Sequence, residues 1–159
     1  MKLLTIIDED FTNYKKPSMF LGCCYCDWKC CTEQGLPLST CQNHPWKDSE
    51  IINISNEKLI QRYLTNTITH AIIFGGLEPL ILFDEVLNFI KEFRKHSEDD
   101  CVLYTGYYPE EIQSEINELK QFENIILKVG RYIPNHIPHE DEVLGVKLAS
   151  DNQYGIKLS

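Results

Sequence analysis

Apolar residues along the chain change their spacing in a regular order. Continuous apolar runs fall at Pro17–Gly22, Ala71–Phe74, Cys101–Thr105 and Asn124–Val129, and a glycine ends or directly follows each one. Strands covered on both faces look like this, because neither face has to meet water. Between the runs the spacing lengthens to three and four residues. Leu82, Val86, Phe89, Ile90 and Phe93 form one stripe, and Ile112, Ile116, Leu119 and Phe122 form another. Helices are therefore expected over Leu82–His96 and Pro109–Phe122. A shorter helix is expected over Glu57–Leu64 with Asn56 as its cap, and a last strand around Tyr154–Leu158. Lys2 to Pro17 is mixed and specifies no element, so Pro17–Gly22 reads as the first strand.

This order, βαβαβ with short connections, implies parallel strands joined by right-handed helical crossovers, either in an open sheet or in part of a barrel. In both architectures ligands bind beyond the C-terminal ends of the strands. Four segments would share that rim: the stretch after Gly22, Gly75–Pro79, Thr105–Pro109 and Gly130–Tyr132.

The first of these segments carries the chemistry. Phe20 to Asn43 reads FLGCCYCDWKCCTEQGLPLSTCQN and holds six of the seven cysteines. Thiolate is the ligand that iron–sulfur clusters and zinc require, and five cysteines from Cys23 to Cys31 exceed what packing would select. The spacing leaves several ligand sets open. Cys26, Cys30 and Cys41 form one; Cys31 is an alternative to Cys30, and Cys23 or Cys24 to Cys26. Cys26, Cys30 or Cys31, Cys41 and His44 would also suit a Cys3His zinc site.

Composition narrows the setting. A length of 159 residues, 43% hydrophobic and 25% charged, fits one globular domain over 1–159 with its cluster loop at 23–43. The apolar stretch Leu3–Ile7 is too short for a signal peptide or a membrane span, so a cytoplasmic location and no membrane association are expected. In a reducing cytosol, clustered thiols bind metal or do redox work more readily than they form disulfides. A formal charge of −9 without a long Lys/Arg run argues against a nucleic-acid partner.

On these residues the chain resembles the radical S-adenosylmethionine superfamily, and within it the activating enzyme of anaerobic (class III) ribonucleotide reductase. FLGC precedes the cluster loop, and Cys41-Gln42-Asn43 stands where that family has a third cysteine, an aromatic and Asn. Phe74–Leu80 (FGGLEPL) resembles its GGEPL-like segment, Leu103–Tyr107 its LYTGY strand end, and Ala149–Gln153 a terminal GSSNQ-like segment. The superfamily motif is C-x3-C-x2-C. Here its third position is Glu33, so the resemblance implies an expanded C-x3-C-x10-C with Cys26, Cys30 and Cys41 as ligands. Leu77 interrupts the GGE order, and Val129 stands where the activators tend to have Asp.

By this resemblance the fold is α/β, a partial (βα) barrel of mainly parallel strands. The cofactors are a [4Fe-4S] cluster and S-adenosyl-L-methionine, with Gly75, Gly76, Glu78 and Thr105 at the latter. The implied activity is formation of a 5′-deoxyadenosyl radical that installs a glycyl radical on a partner such as anaerobic ribonucleotide reductase. A flavodoxin- or ferredoxin-type protein would supply the electron. Two other readings stand beside this one: a non-catalytic binding domain stabilised by zinc or a cluster, favoured by Glu33 and Leu77, and an iron–sulfur electron carrier.

Overall fold

All four apolar runs form strands, and the computed structural model, which describes residues 1–159, shows why they lack alternation: both faces of their sheet are covered. In chain order the elements begin with β1 (Lys2–Leu3), β2 (Thr5–Asp10) and β3 (Ser18–Cys23). The one-turn helix α1 (Lys29–Thr32), β4 (Ile52–Asn53), α2 (Asn56–Thr65), β5 (Ala71–Gly76), α3 (Phe83–Phe93) and β6 (Asp100–Tyr104) follow. The chain ends with α4 (Gln113–Leu119), β7 (Ile125–Val129), β8 (His139–Asp141), β9 (Val146–Leu148) and β10 (Tyr154–Lys157). No helix is long and apolar enough to cross a membrane.

Six strands make one sheet in the order β10-β7-β6-β5-β3-β2. The central four, β3, β5, β6 and β7, run parallel, while β2 pairs antiparallel with β3 and β10 antiparallel with β7. The expected partial (βα) barrel is thereby overturned. A barrel closes by pairing its first and last parallel strands and carries a helix outside each of them. Here both edges are antiparallel strands that do not meet, and the three helices longer than one turn all pack on one face. The architecture is an open mixed sheet.

Alternation inside the strands sorts the core. Met19, Leu21, Ile72, Phe74, Leu103 and Leu127 point to the helical face, where Leu59 and Tyr63 of α2, Phe89 and Phe93 of α3 and Ile116 and Leu119 of α4 cover them. Phe20, Ala71, Ile73, Val102 and Ile126 point to the other face, which no helix covers. Tyr14, Leu144 and Leu148 do so instead, brought there by the β2–β3 connection and the β8–β9 hairpin. The two covers are tied together by the Lys15 amide, which donates to the Leu144 carbonyl at 2.8 Å, and the first is tied to the sheet by the Tyr14 hydroxyl, which donates to Asp100 of β6 at 3.0 Å. Covering one face with loops and a hairpin leaves an irregular roof over the C-terminal rim.

Smaller differences from expectation have local causes. Ser55, not Asn56, caps α2, its hydroxyl accepting the Lys58 amide at 3.3 Å. The helix expected over Pro109–Phe122 is broken into a 3-10 turn at Pro109–Glu111 and the seven-residue α4, because Ile112 leaves helical geometry. Two strands precede Pro17–Gly22; β2 reads as mixed sequence because an edge strand with one exposed face keeps its charged residues.

Candidate metal centre

The chain leaves β3 at Cys23 and returns to a strand only at β4, so the cysteines lie on a long excursion above the rim. Its first turn is made at Trp28, which holds a left-handed backbone at φ 62°, and whose amide donates to the Cys26 sulfur at 3.3 Å. One turn of helix then presents Cys30 and Cys31, Gly35 reverses the chain at φ +63°, and 3-10 turns at Leu38–Thr40 and His44–Asp48 carry it back past Cys41. Asn43 fastens the return limb to the rim: its amide nitrogen donates to the Gly76 carbonyl at 2.6 Å. At Gly76, φ is +83° and a Cβ would lie 2.5 Å from the Trp46 ring, so the ring packs directly on the strand end.

Between this loop, the rim and the β8–β9 hairpin lies a cavity of about 360 Å³. Cys26, Cys30 and Cys41 all line it, together with Cys31, Gly76, Glu78, Thr105 and Lys128. The parallel strands thus bring the four rim segments to one place: Cys26 after β3, Glu78 after β5, Gly106 after β6 and Gly130 after β7 each contribute to its wall. Cys30 faces the rim so closely that a Cβ at Gly106 would sit 2.6 Å from its sulfur. Cys31, one residue on, turns its thiol beneath the loop toward the Leu38 carbonyl at 4.0 Å. Cys23 packs into the helical-face core, and the Cys24 thiol points at the Lys2 carbonyl; neither lines the cavity. Cys101 is fully buried in the core.

The residues do not form a ready single-ion site. His44 is outside the cavity lining, with its ring edge-on to Trp28 at 5.3 Å, and no three His, Cys, Asp or Glu side chains are gathered as one ion requires. Zinc needs its donors within about 2.0–2.3 Å of one point. Sulfurs spread around a cavity wall fit a cubane instead, whose iron corners are themselves spread. Burial pushes the Cys26 thiol up to about 12 and raises Cys30 and Cys31 as well, so iron must displace thiol protons when it binds.

Two opposite charges share the enclosure. Glu78 is 8% exposed; its carboxylate accepts the Gly106 amide at 2.9 Å and the Leu80 amide at 3.1 Å, and burial pushes it up to about 7. Lys128 is equally buried, donates to the Gly130 carbonyl at 3.0 Å, and is brought down to about 8 by desolvation, against the pull of Cys30 and Glu78.

A sequence profile described as a 4Fe-4S single cluster domain matches residues 18–153, a span that takes in the cysteine loop, all four rim segments and the Ala149–Gln153 turn. The chain belongs to the 4Fe-4S single cluster domain family. It is an iron–sulfur protein, and the choice between zinc and a cluster is settled for the cluster. No curated protein and no solved structure matches the chain.

Within this 4Fe-4S single cluster domain, three of the four residues assigned to the second cofactor line the cavity: Gly76, Glu78 and Thr105. Gly75 does not. It lies one residue back in β5, where a Cβ would come within 2.9 Å of the Phe20 ring, so it serves the packing of the sheet. Lys128 went unread, although a lone lysine in the apolar run Asn124–Val129 is itself a signal, since lysine is almost never fully buried without a task or a partner. Thr12 and Asn13, and Val146 to Leu148, also line the cavity and carry no sequence signal. They arrive from the cover of the second sheet face, which periodicity cannot place.

Proposed function

We propose that the chain is a radical S-adenosylmethionine enzyme of the glycyl-radical activase type, in which Cys26, Cys30 and Cys41 hold three irons of the cluster and the fourth iron is left for the cofactor. One observation carries this reading: the cavity that gathers the three thiols also holds a buried carboxylate, Glu78, and a buried ammonium, Lys128. An amino acid presents an ammonium and a carboxylate together, and a water-poor site accepts such a zwitterion only if each charge meets its opposite. Glu78 would take the methionine ammonium and Lys128 the carboxylate. Gly76, without a side chain on the wall, would let backbone approach the ligand. The contact of the Cys31 thiol with the Leu38 carbonyl at 4.0 Å gives it a partner within the loop, which supports three sulfur ligands and an open fourth iron.

When bound and reduced, the cluster would supply the electron that splits S-adenosylmethionine into methionine and a 5′-deoxyadenosyl radical, which takes a hydrogen atom from substrate. Resemblance of FLGC, CQN, FGGLEPL and LYTGY to the anaerobic reductase activator supports a glycine Cα of a partner enzyme as that substrate, and a flavodoxin- or ferredoxin-type reductant.

A second reading has its own support. Cys31 also lines the cavity, so four cysteines line its wall, and a cluster held by all four would carry electrons without binding the cofactor. Product analysis separates the two. Reconstituted protein reduced with dithionite and given S-adenosylmethionine is expected to form 5′-deoxyadenosine and methionine in equal amounts, and to form neither after Cys30→Ala. Intact S-adenosylmethionine over a reduced cluster would establish the electron carrier.

A further inference from the structure

Cys30 sits on a helix of only four residues. One turn cannot hold itself, because nucleating a helix fixes several dihedrals for each hydrogen bond gained. Its position must come from what it touches, and the contacts converge on one side chain. Arg131, just beyond β7, is 4% exposed and grips Glu111 with both guanidinium branches, Nη1 and Nη2 each at 2.7 Å. The same Nη2 donates to Glu33, at the C-terminal end of α1, at 3.0 Å. Glu111 in turn meets Lys29, the first residue of α1, at 3.3 Å. Beside them the Gln34 amide donates to the Tyr132 carbonyl at 2.9 Å. Both ends of the turn that carries Cys30 are thus tied to Arg131, Glu33 directly and Lys29 through Glu111.

We propose that Arg131 positions the cluster ligand Cys30, by joining Glu33 to Glu111 and so fixing α1 on the rim of β7. The arrangement also occupies Glu33, the one carboxylate placed two residues beyond the Cys30–Cys31 pair, with a guanidinium rather than with iron. The inference rests on the proposed function only in taking Cys30 as a ligand; it needs neither S-adenosylmethionine nor an open iron. Residues that orient metal ligands typically change metal affinity by roughly 10–100-fold when removed.

The test uses Arg131→Gln, Glu33→Gln and the double variant, with Cys30→Ala alongside. Iron loss from the reconstituted protein to an iron(II) chelator is expected to be roughly ten-fold faster in each single variant, and no faster in the double, because the pair acts as one unit. The reduction potential supplies a readout that a simple brace would not move. Arg131→Gln removes a positive charge and leaves Glu33 uncompensated near the cluster, and is expected to shift the potential to more negative values; Glu33→Gln removes a negative charge and is expected to shift it the other way. Unfolding of the iron-free Glu33→Gln protein in urea is expected to match wild type. Retention of iron and an unchanged potential in Glu33→Gln would overturn the proposal, whatever Arg131→Gln does, since Arg131 would then act on the fold through Glu111 alone. Retention of the cluster by Cys30→Ala would instead overturn the ligand assignment beneath it.

Discussion

Cys41→Ala is expected to reduce iron and acid-labile sulfide to background after anaerobic reconstitution, while Cys31→Ala keeps close to the wild-type amount. The two cysteines are ten residues apart in sequence and line the same cavity, yet they stand differently toward it. Cys41 is half-buried on the return limb that Asn43 ties to the Gly76 carbonyl. Cys31 is 2% exposed, with its thiol 4.0 Å from the Leu38 carbonyl, a contact it would give up as an iron ligand. In the proposed ligand set, removing Cys41 leaves only Cys26 and Cys30, too few thiolates to retain a cubane. Colorimetric iron and sulfide determinations on the two variants decide the matter. Full loading of Cys41→Ala with failure of Cys31→Ala would exchange their roles.

The second large effect lies on the opposite side of the sheet. Phe89 of α3 is fully buried, edge-on to Phe74 of β5 at 5.6 Å and stacked on Phe93 at 5.9 Å. Phe89→Ala removes a ring whose space its rigid neighbours cannot refill, and is expected to cost about 3–5 kcal/mol of stability, a large part of what a domain of this size has. Because the helical face and the cluster cavity are separated by the sheet, the loss is expected to be equal in iron-free and cluster-loaded protein. Urea unfolding of both forms measures it. A much larger loss in the loaded form would mean that the helical core and the cluster loop are coupled through β5.

These two sites mark how far the sequence could be read. β3, β5, β6 and β7 were legible because strands covered on both faces leave unbroken apolar runs, and α3 because its stripe faces that sheet. The closure of the sheet was not legible. It depends on the direction of the edge strands, and β2, with the sequence TIIDED, hides as mixed polar chain because one side of it faces water. The spacing allowed an open sheet or part of a barrel, and the family resemblance implied the barrel where an open sheet stands.

The site was read to a similar depth. Cysteine number and the glycine-ended strands pointed to the rim where the cavity lies, since parallel strands must deliver their C-terminal loops to one side. Which thiol faces the cavity was beyond reach. The left-handed turn at Trp28 and the rotation of a one-turn helix set it, and neither has a period in the sequence. The tie between Arg131, Glu33 and Glu111 spans residues 33 to 131 and was equally hidden.

The measurement closest to the central claim is the electron paramagnetic resonance spectrum of the reduced, reconstituted protein with and without S-adenosylmethionine. With Cys26, Cys30 and Cys41 as ligands and one iron open, a [4Fe-4S]⁺ signal is expected whose g values move when the cofactor is added. A strong signal that the cofactor leaves unchanged would contradict an open coordination site and make the protein an electron carrier.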